Sequence, residues 1–218
     1  MNGKKLFRTG VLLIDGFVLW TVLICTMDVQ PIGVNGTSVG FAQLNGWFHQ
    51  LTGVHMTIYH ITDWLGLVPV CGCMIFAGIG LIQLVQRKNL LKVDYDILIL
   101  GVYYVIVILG YLFFEMVPIN YRPVLIEGRI EASYPSSTTL LVLSVMPTIA
   151  FQADRRIKKE HIRKCIRAIA AGFSLFMIIG RTISGVHWLT DIIGSVILSV
   201  GLYLIYQSSV ALYDRKKN

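Results

Sequence analysis

The sequence predicts an all-α membrane protein with six transmembrane helices and both chain termini in the cytoplasm. Two observations carry this prediction, namely an unusually apolar composition and basic residues confined to alternate loops. Of the 218 residues, 55% are hydrophobic and only 14% are charged, and the mean hydropathy is +0.68. An ordinary soluble domain is far less apolar than this, so we expect a protein whose main solvent is the lipid bilayer.

Six apolar segments are long enough to be membrane spans, because a helix needs about 20 mostly apolar residues to cross the hydrocarbon. They are residues 11–27, 61–85, 96–117, 136–153, 166–183 and 188–209. Little sequence is left between them, so we expect a single polytopic domain over residues 1–218. The first segment follows three basic residues, as in a signal peptide. It lacks a small-residue cleavage site at its end, so we expect it to be retained as a helix.

The basic residues predict the orientation of these segments. All but three of the 19 Lys and Arg residues lie before the first segment, between the second and third, between the fourth and fifth or at the very start of the fifth, or after the sixth. The positive-inside rule assigns that side to the cytoplasm. The net charge of +7 therefore reflects topology, and we expect no nucleic-acid partner. The sequence gives no indication of the oligomeric state.

The three basic residues on the predicted outer side are Arg122, Arg129 and Arg181. They break the charge bias, so they need another explanation. Phosphate binding is one, because the guanidinium fork matches phosphate oxygens in a bidentate manner. The alternative to phosphate binding is that Arg122 and Arg129 are solvated loop residues and that Arg181 only ends a helix.

The longest outer loop contains a candidate amphipathic helix over residues 41–53. Its large apolar residues recur at intervals of three and four, which is the period of a helix face. They are Phe41, Leu44, Trp47, Phe48 and Leu51. Aromatic side chains suit the membrane interface, so this segment is predicted to lie on the outer leaflet. The alternative is an ordinary loop packed on the helix ends.

Three ionisable residues cluster at the junction of the last two apolar segments, in the stretch GRTISGVHWLTDIIG. His187 and Asp191 are separated by four positions at a helix start, so they share one helix face. A carboxylate there can accept a hydrogen bond from one imidazole nitrogen and leave the other free to attack. Ser184-Gly185 interrupts the preceding helix, which allows Arg181 to reach the same place. This pattern predicts a nucleophilic histidine.

A second outer segment contains Arg122-Pro123 and, further on, Pro135-Ser136-Ser137-Thr138. Proline suits the first turn of a helix, so the Pro-Ser-Ser-Thr stretch is predicted to open the fourth apolar helix. Free backbone N–H groups at such an end, next to hydroxyls, form an anion site. The alternative for this stretch by itself is simple helix capping.

Together these segments resemble the type 2 phosphatidic acid phosphatase family, which is related to bacterial acid phosphatases and vanadium haloperoxidases. The family pattern is Lys-x6-Arg-Pro, then Pro-Ser-Gly-His, then Ser-Arg-x5-His-x3-Asp. Arg122-Pro123 and Pro135-Ser136 match parts of the first two motifs, and Arg181, His187 and Asp191 match the third with its spacing intact. The resemblance implies that His187 forms a phosphohistidine and that Asp191 orients it. It further implies phosphate binding by Arg122, Arg181, Ser136 and the amides around Ser137 and Thr138.

The sequence departs from that pattern at four positions. Glu115 replaces the lysine of the first motif, Ser137 and Thr138 replace the Gly-His of the second, and Gly180 replaces the serine before Arg181. The lost histidine is the family's general acid for the leaving group. Without a substitute, the chain is expected to prefer lipid diphosphates, because a phosphate leaves with little need of a proton.

Several outer residues are candidate substitutes for that acid. Glu115 and His49 are the main candidates, with His55, His60 and Asp63 as weaker ones. Each histidine has an alternative reading as an ordinary polar residue of the membrane interface.

The sequence therefore predicts a multi-pass cell-membrane phosphatase that acts on lipid phosphates or diphosphates at the extracytoplasmic face. The resemblance suggests undecaprenyl diphosphate, phosphatidylglycerophosphate, phosphatidate and diacylglycerol diphosphate as candidate substrates, and no metal or cofactor is expected. The alternative is a catalytically silent protein on the same fold that binds or transports lipid phosphates.

Overall fold

The computed structural model describes residues 3–217, and these form eight α-helices joined by loops. The helices are α1 (Gly3–Thr26), α2 (Ala42–Thr52), α3 (Met56–Leu65), α4 (Leu67–Arg87), α5 (Tyr95–Met116), α6 (Ser137–Arg156), α7 (Glu160–Ile183) and α8 (Leu189–Lys217). Outside the helices, the described residues contain isolated β-bridges but no strand. The predicted all-α fold class is confirmed.

Five helical segments of the described residues are long and apolar enough to cross a membrane. They are Gly3–Thr26, Met56–Arg87, Tyr95–Met116, Glu160–Ile183 and Leu189–Lys216. The second of them joins α3 and α4 across Gly66 and is longer than the predicted span of 61–85. These five correspond to five of the six predicted spans.

The remaining predicted span, 136–153, corresponds to α6, which is 20 residues long but is not among the five apolar segments. Its polar side chains point into the bundle, where neighbouring helices satisfy them. Thr148 Oγ1 lies 2.7 Å from the hydroxyl of Tyr104, and Gln152 Nε2 donates to the hydroxyl of Tyr206 over 2.7 Å. Because α6 is enclosed by other helices, it can cross the bundle without the apolar surface that a lipid-facing helix needs.

The last helix, α8, packs along both α1 and α6. A Cβ built on Gly10 would lie 2.9 Å from the carbonyl oxygen of Gly201, so the backbones of α1 and α8 touch at these glycines. Small residues allow such close approach between membrane helices. On its other side, Ser195 of α8 donates to the carbonyl oxygen of Ser136 over 3.0 Å. These contacts fix the position of the start of α6 relative to α8.

The predicted amphipathic segment forms α2. One face packs against α8, where Asn45 Nδ2 donates to Thr190 Oγ1 over 3.0 Å. The opposite face exposes Leu44, Trp47 and Leu51. The helix therefore presents an exposed apolar face that is free to contact lipid.

The two ends of the bundle differ in charge. At one end, Asp96 at the start of α5 accepts from Arg155 Nε over 3.1 Å and from Arg156 Nη1 over 2.6 Å. At the other end lie the start of α6, the end of α7 and the start of α8, which carry the candidate site residues. The basic loops and the candidate site therefore occupy opposite ends, while the membrane side that each faces stays a prediction.

Candidate active site

His187 lies in the short loop between α7 and α8 and is almost completely buried, with 4% of its surface exposed. The chain before α3 holds this loop, since the backbone N–H of His55 donates to the carbonyl of Ser184 over 2.9 Å. Gly185 has a φ of +68° and lies against Gly53, whose carbonyl oxygen is 1.9 Å from the position of an added Cβ. Only glycine fits this position, both in conformation and in space.

The two ring nitrogens of His187 have different partners. Nδ1 lies 3.1 Å from both the backbone oxygen and the hydroxyl oxygen of Ser133. That hydroxyl donates its proton to Asp191 Oδ2 over 2.5 Å. Ser133 therefore acts as the acceptor towards Nδ1, which must carry the ring proton. Nε2 therefore carries the lone pair, and it accepts a hydrogen bond from Arg181 Nη2 over 3.0 Å.

Asp191 does not bond His187 directly, contrary to the expectation from their spacing. Its Oδ2 lies 3.9 Å from Nδ1, which is too long for a hydrogen bond. Ser133 bridges the two residues instead. Asp191 also accepts from the backbone N–H of Trp188 over 2.9 Å and from Asn120 Nδ2 over 3.3 Å. Ser133 thus links Asp191 to the imidazole.

Arg122 and Arg181 come together over the ring of Tyr59. The guanidinium carbon of Arg181 lies 5.0 Å from the ring centroid, and that of Arg122 lies 5.8 Å from it. Arg181 is fully buried. Its Nη1 is 3.6 Å from Asp63 Oδ1, and Arg122 Nε is 3.1 Å from Glu131 Oε2.

Several N–H groups of these guanidiniums have no hydrogen-bond partner within residues 3–217. They are Nε and Nη1 of Arg181 and Nε and Nη1 of Arg122, although Arg122 Nε has the ion-pair contact with Glu131. Buried charged groups with unpaired donors are costly, and natural proteins keep them mainly where a ligand completes them. Two convergent guanidiniums with free donors beside His187 Nε2 form a site for a phosphate-like anion.

This environment keeps His187 neutral. Burial lowers the pKa of His187 well below its usual value, and the positive charges of Arg122 and Arg181 lower it further. The imidazole therefore retains its Nε2 lone pair at neutral and mildly acidic pH, as a nucleophile requires.

The start of α6 lies next to Asp191. The backbone N–H of Ser136 points to the carbonyl of Asp191 over 3.4 Å, and the Ser136 hydroxyl lies 3.1 Å from Thr139 Oγ1. Ser136 makes no side-chain cap hydrogen bond, so the simple capping reading of Pro-Ser-Ser-Thr is not what the structure shows. The first-turn amides of α6, at Ser137 and Thr138, remain available to an anion.

A mainly apolar cavity of about 430 Å³ lies between α4, α5 and α6. Ser137, Thr138 and Asp63 line it together with apolar residues such as Val70 and Val107. Thr138, at the position of the family's histidine, therefore borders this cavity, which is called the apolar groove below.

Gly180 lies where α7 packs closely on α3. A Cβ at Gly180 would lie 2.6 Å from Thr62 Cγ2. The serine that the family pattern has before the arginine would therefore collide with α3.

The predicted substitute acids lie in different places. Glu115 is exposed and borders a small cleft with Tyr111 and Ser137, away from ion-pairing distance of either site arginine. His49 packs against the indole of Trp188, with ring centroids 5.5 Å apart, and burial lowers its pKa. His55 and His60 are exposed. Within residues 3–217, none of these four side chains makes a hydrogen bond or an ion pair with His187 or Arg181, so the structure does not bring them to the nucleophile.

Sequence reasoning missed four residues of the site. They are Tyr59, Asn120, Glu131 and Ser133. Ser133 stands two residues before Pro135, but nothing in its sequence surroundings indicates a contact with a residue 54 positions away. These residues join the site only through tertiary packing.

A bundle of apolar helices with a buried histidine and two buried arginines at one end defines a multi-pass membrane protein. The chain belongs to the PAP2 superfamily, because the sequence model of that family matches residues 73–212. The structure is similar to the crystal structure of a transmembrane PAP2-type phosphatidylglycerolphosphate phosphatase from Bacillus subtilis. That similarity has a TM-score of 0.60 and 18% sequence identity, and it covers 96% of this chain and 98% of the other. No curated protein sequence matches the chain.

The family and the fold support the coarse assignment of a membrane lipid phosphatase. The family assignment made from the motifs is confirmed.

Proposed function

We propose that the protein hydrolyses a lipid phosphate or diphosphate at the extracytoplasmic face of the membrane through a phosphohistidine on His187. Phosphatidylglycerophosphate, phosphatidate, diacylglycerol diphosphate and undecaprenyl diphosphate are the candidate substrates. The family membership supports the phosphatase class, and the distribution of basic residues supports the side.

One observation carries this proposal. Arg181 is fully buried, donates through Nη2 to Nε2 of His187, and has unpaired donors at Nε and Nη1. A phosphoryl group placed there would satisfy those donors and bring its phosphorus to the nucleophile. Phosphoryl transfer depends mainly on such positioning and charge stabilisation.

The apolar groove supports a lipid as the substrate. It begins at Ser137 and Thr138, next to the anion site, and its remaining lining is mostly apolar. A phosphate bound by the arginines would leave its hydrocarbon chain to the groove. A soluble phosphate ester would gain nothing from this surface.

The site residues have separate roles in the proposed reaction. Arg122, Arg181 and the first amides of α6 hold the phosphoryl oxygens. Nε2 of His187 attacks phosphorus, and the phosphorus–oxygen bond to the rest of the lipid breaks, with its electron pair going to the leaving oxygen. The imidazole becomes more positive as the bond forms, and Nδ1–H shares that charge with Ser133 and Asp191. Water then attacks phosphorus, releases phosphate and restores the neutral imidazole.

The rival function is silent binding or transport of a lipid phosphate. A transporter is expected to show broken helices or charged residues near the middle of the membrane. Here the fully buried Arg181 and the nearly buried Arg122 and His187 lie together at one end of the bundle, which favours a phosphatase.

The test is phosphate release by the purified protein from a panel of the four lipids, each with and without EDTA. We expect release from at least one lipid, unchanged by EDTA, and its loss in His187→Ala. Binding of the lipids without release in any condition would support the silent-binding alternative.

A further inference from the structure

The position that supplies the family's general acid holds Thr138, whose side chain cannot take over that task. An aliphatic hydroxyl is about as weak an acid as water. A lipid alkoxide is a comparably strong base, and it leaves phosphorus readily only if it receives a proton. Any activity on lipid monophosphates therefore needs another donor near Thr138.

Asp63 on α3 lies where such a donor is needed. Its Oδ1 is 3.6 Å from Arg181 Nη1, one of the unpaired donors of the anion site. It also lines the apolar groove together with Thr138. The junction of α3 and α4 packs close to Thr138. A Cβ on Gly66, three residues after Asp63, would lie 3.3 Å from Thr138 Cγ2.

Asp63 therefore lies between the guanidinium of Arg181, which would hold the phosphoryl oxygens, and the apolar groove, which would accept the hydrocarbon chain of the lipid. The oxygen that joins a phosphoryl group to its lipid must lie at this boundary. With 54% of its side chain exposed, Asp63 can reach a bound ligand without a rearrangement of the helices.

The other outer carboxylates are placed less well. Glu131 pairs with Arg122 Nε at 3.1 Å and does not line the groove. Glu115 borders a separate cleft with Ser137. Asp63 alone among these three combines a contact with a site arginine and a place on the groove.

We propose that Asp63 is the catalytic acid that protonates the leaving oxygen and thereby takes over the task of the missing histidine. This inference rests on the proposed phosphatase function. In the first step, His187 Nε2 forms a bond to phosphorus, the phosphorus–oxygen bond to the lipid breaks, and its electron pair goes to the lipid oxygen. That oxygen takes the proton of the Asp63 carboxyl and leaves as an alcohol.

The second step reverses the proton transfer. The Asp63 carboxylate takes a proton from water as the water oxygen bonds to phosphorus, and the Nε2–phosphorus bond breaks. Inorganic phosphate, the neutral imidazole and the protonated Asp63 result, so the atoms and charges balance.

The test compares two lipids with the same hydrocarbon chain, one a monophosphate and one a diphosphate, in the wild type and in Asp63→Asn. A departing phosphate has a second pKa of about 6 and needs little help. General acid catalysis contributes about 10²–10⁴-fold. We therefore expect kcat on the monophosphate to fall at least about 100-fold, and kcat on the diphosphate to fall less than about 10-fold.

The pH profile provides a second readout. A general acid must be protonated, so kcat of the wild type on the monophosphate is expected to fall as pH rises through the ionisation of the acid in the bound complex. Asp63→Asn should lose this basic limb. A residue that only holds Arg181 in place would not change the shape of the profile in this way.

Two variants serve as controls. Glu127→Gln changes an exposed carboxylate in the loop before α6 and should leave both activities unchanged. Glu115→Gln tests the rival acid and should leave the ratio of the two activities unchanged. A selective loss of monophosphate turnover in Glu115→Gln would overturn the assignment of Asp63.

Retained diphosphate turnover in Asp63→Asn shows that the variant is folded. Equal losses on the two lipids, at a wild-type melting temperature, would overturn the proposal. If Asp63→Asn does not fold, the same ratio in Asp63→Ser decides the question. If the wild type turns over neither lipid, the proposed phosphatase function fails, whatever the role of Asp63.

Discussion

At the scale of single residues, the site surrounds one neutral imidazole with two positive charges. Nδ1 of His187 is held by Ser133, and Nε2 faces a guanidinium that has unused donors. The arrangement separates two tasks, since one ring nitrogen is fixed in place while the other meets the ligand. Substitutions on the two sides of the ring should therefore have different consequences.

His187→Ala should abolish turnover, whereas Asp191→Asn should retain a measurable remainder. The alanine removes the attacking atom and leaves no covalent route. The loss of an orienting carboxylate costs about 10⁴-fold in the serine protease triad. Here Ser133 still contacts Nδ1 after the change, so the loss should not exceed that value. The measurement is kcat on the best lipid of the panel, and full activity in His187→Ala would refute the assignment of the nucleophile.

The acid side of the pH profile should respond to Arg122. Burial, Arg122 and Arg181 all lower the pKa of His187, so the free wild-type enzyme should keep its nucleophile unprotonated well below pH 6.5. Removal of one cation in Arg122→Gln raises that pKa towards its usual value. The acid limb of kcat/KM should then shift to higher pH, in addition to a general loss of activity from weaker phosphate binding.

The measurement is kcat/KM from about pH 4 to 8 in both forms, at constant ionic strength. Because the pKa of the folded state is the lower one, protonation in the unfolded state also reduces the free energy of unfolding as pH falls below about 6.5. The wild type should therefore melt at a lower temperature at pH 5 than at pH 7, as far as His187 contributes. An acid limb that stays in place in Arg122→Gln would contradict the electrostatic argument.

At the scale of helices, the contact between α3 and α7 decides where Arg181 lies. Gly180 and Thr62 pack so closely that α7 has no space for a side chain before the arginine. This packing also brings Tyr59 and Asp63, both on α3, to the guanidinium of Arg181. One tight contact therefore positions several residues of the site.

Gly180→Ser, which would restore the serine of the family pattern, should lower both stability and turnover. Its Cβ would lie 2.6 Å from Thr62 Cγ2, and a β-branched threonine has little freedom to rotate away. Overpacking of this kind costs about 1–3 kcal/mol.

The matched control is Thr62→Ser, which removes that methyl group and keeps the hydroxyl that bonds the carbonyl of Ile58. Gly180→Ser combined with Thr62→Ser should recover most of the loss in melting temperature and turnover. A Gly180→Ser single variant as stable as the wild type would show that the contact is looser than the structure indicates.

At the scale of the whole molecule, the basic loops and the candidate active site lie at opposite ends of one helix bundle. Arg129 is exposed in the loop before α6, near the site, while Lys158 is exposed between α6 and α7 at the other end. The positive-inside rule predicts that the first faces outwards and the second inwards.

Single cysteines should label accordingly in intact cells. The four natural cysteines are free, so they are first replaced by serine, and Arg129→Cys or Lys158→Cys is then introduced into that background. An impermeant thiol reagent should label Arg129→Cys from outside and Lys158→Cys only after permeabilisation. Labelling of Lys158→Cys in intact cells would reverse the orientation and the side of the substrate.

The sequence by itself determined the features that depend on local or additive properties. Apolar runs gave the membrane class and five of the spans. The family was recognised by the resemblance of Arg181, His187 and Asp191 to its third motif, which depends only on residue identity and spacing along the chain. Compositional reasoning also placed an amphipathic helix at residues 41–53, which the structure has at Ala42–Thr52.

Only the tertiary structure decided what lies next to the imidazole and the guanidiniums. The hydroxyl of Ser133 between His187 and Asp191, the ring of Tyr59 under two arginines, and Asp63 beside Arg181 all depend on how α3, α6, α7 and α8 pack. The partners in these contacts are far apart along the chain, so no local pattern encodes them. The physical reason is that a hydrogen bond or an ion pair is decided by distances of a few ångströms, which helix packing sets and sequence spacing does not.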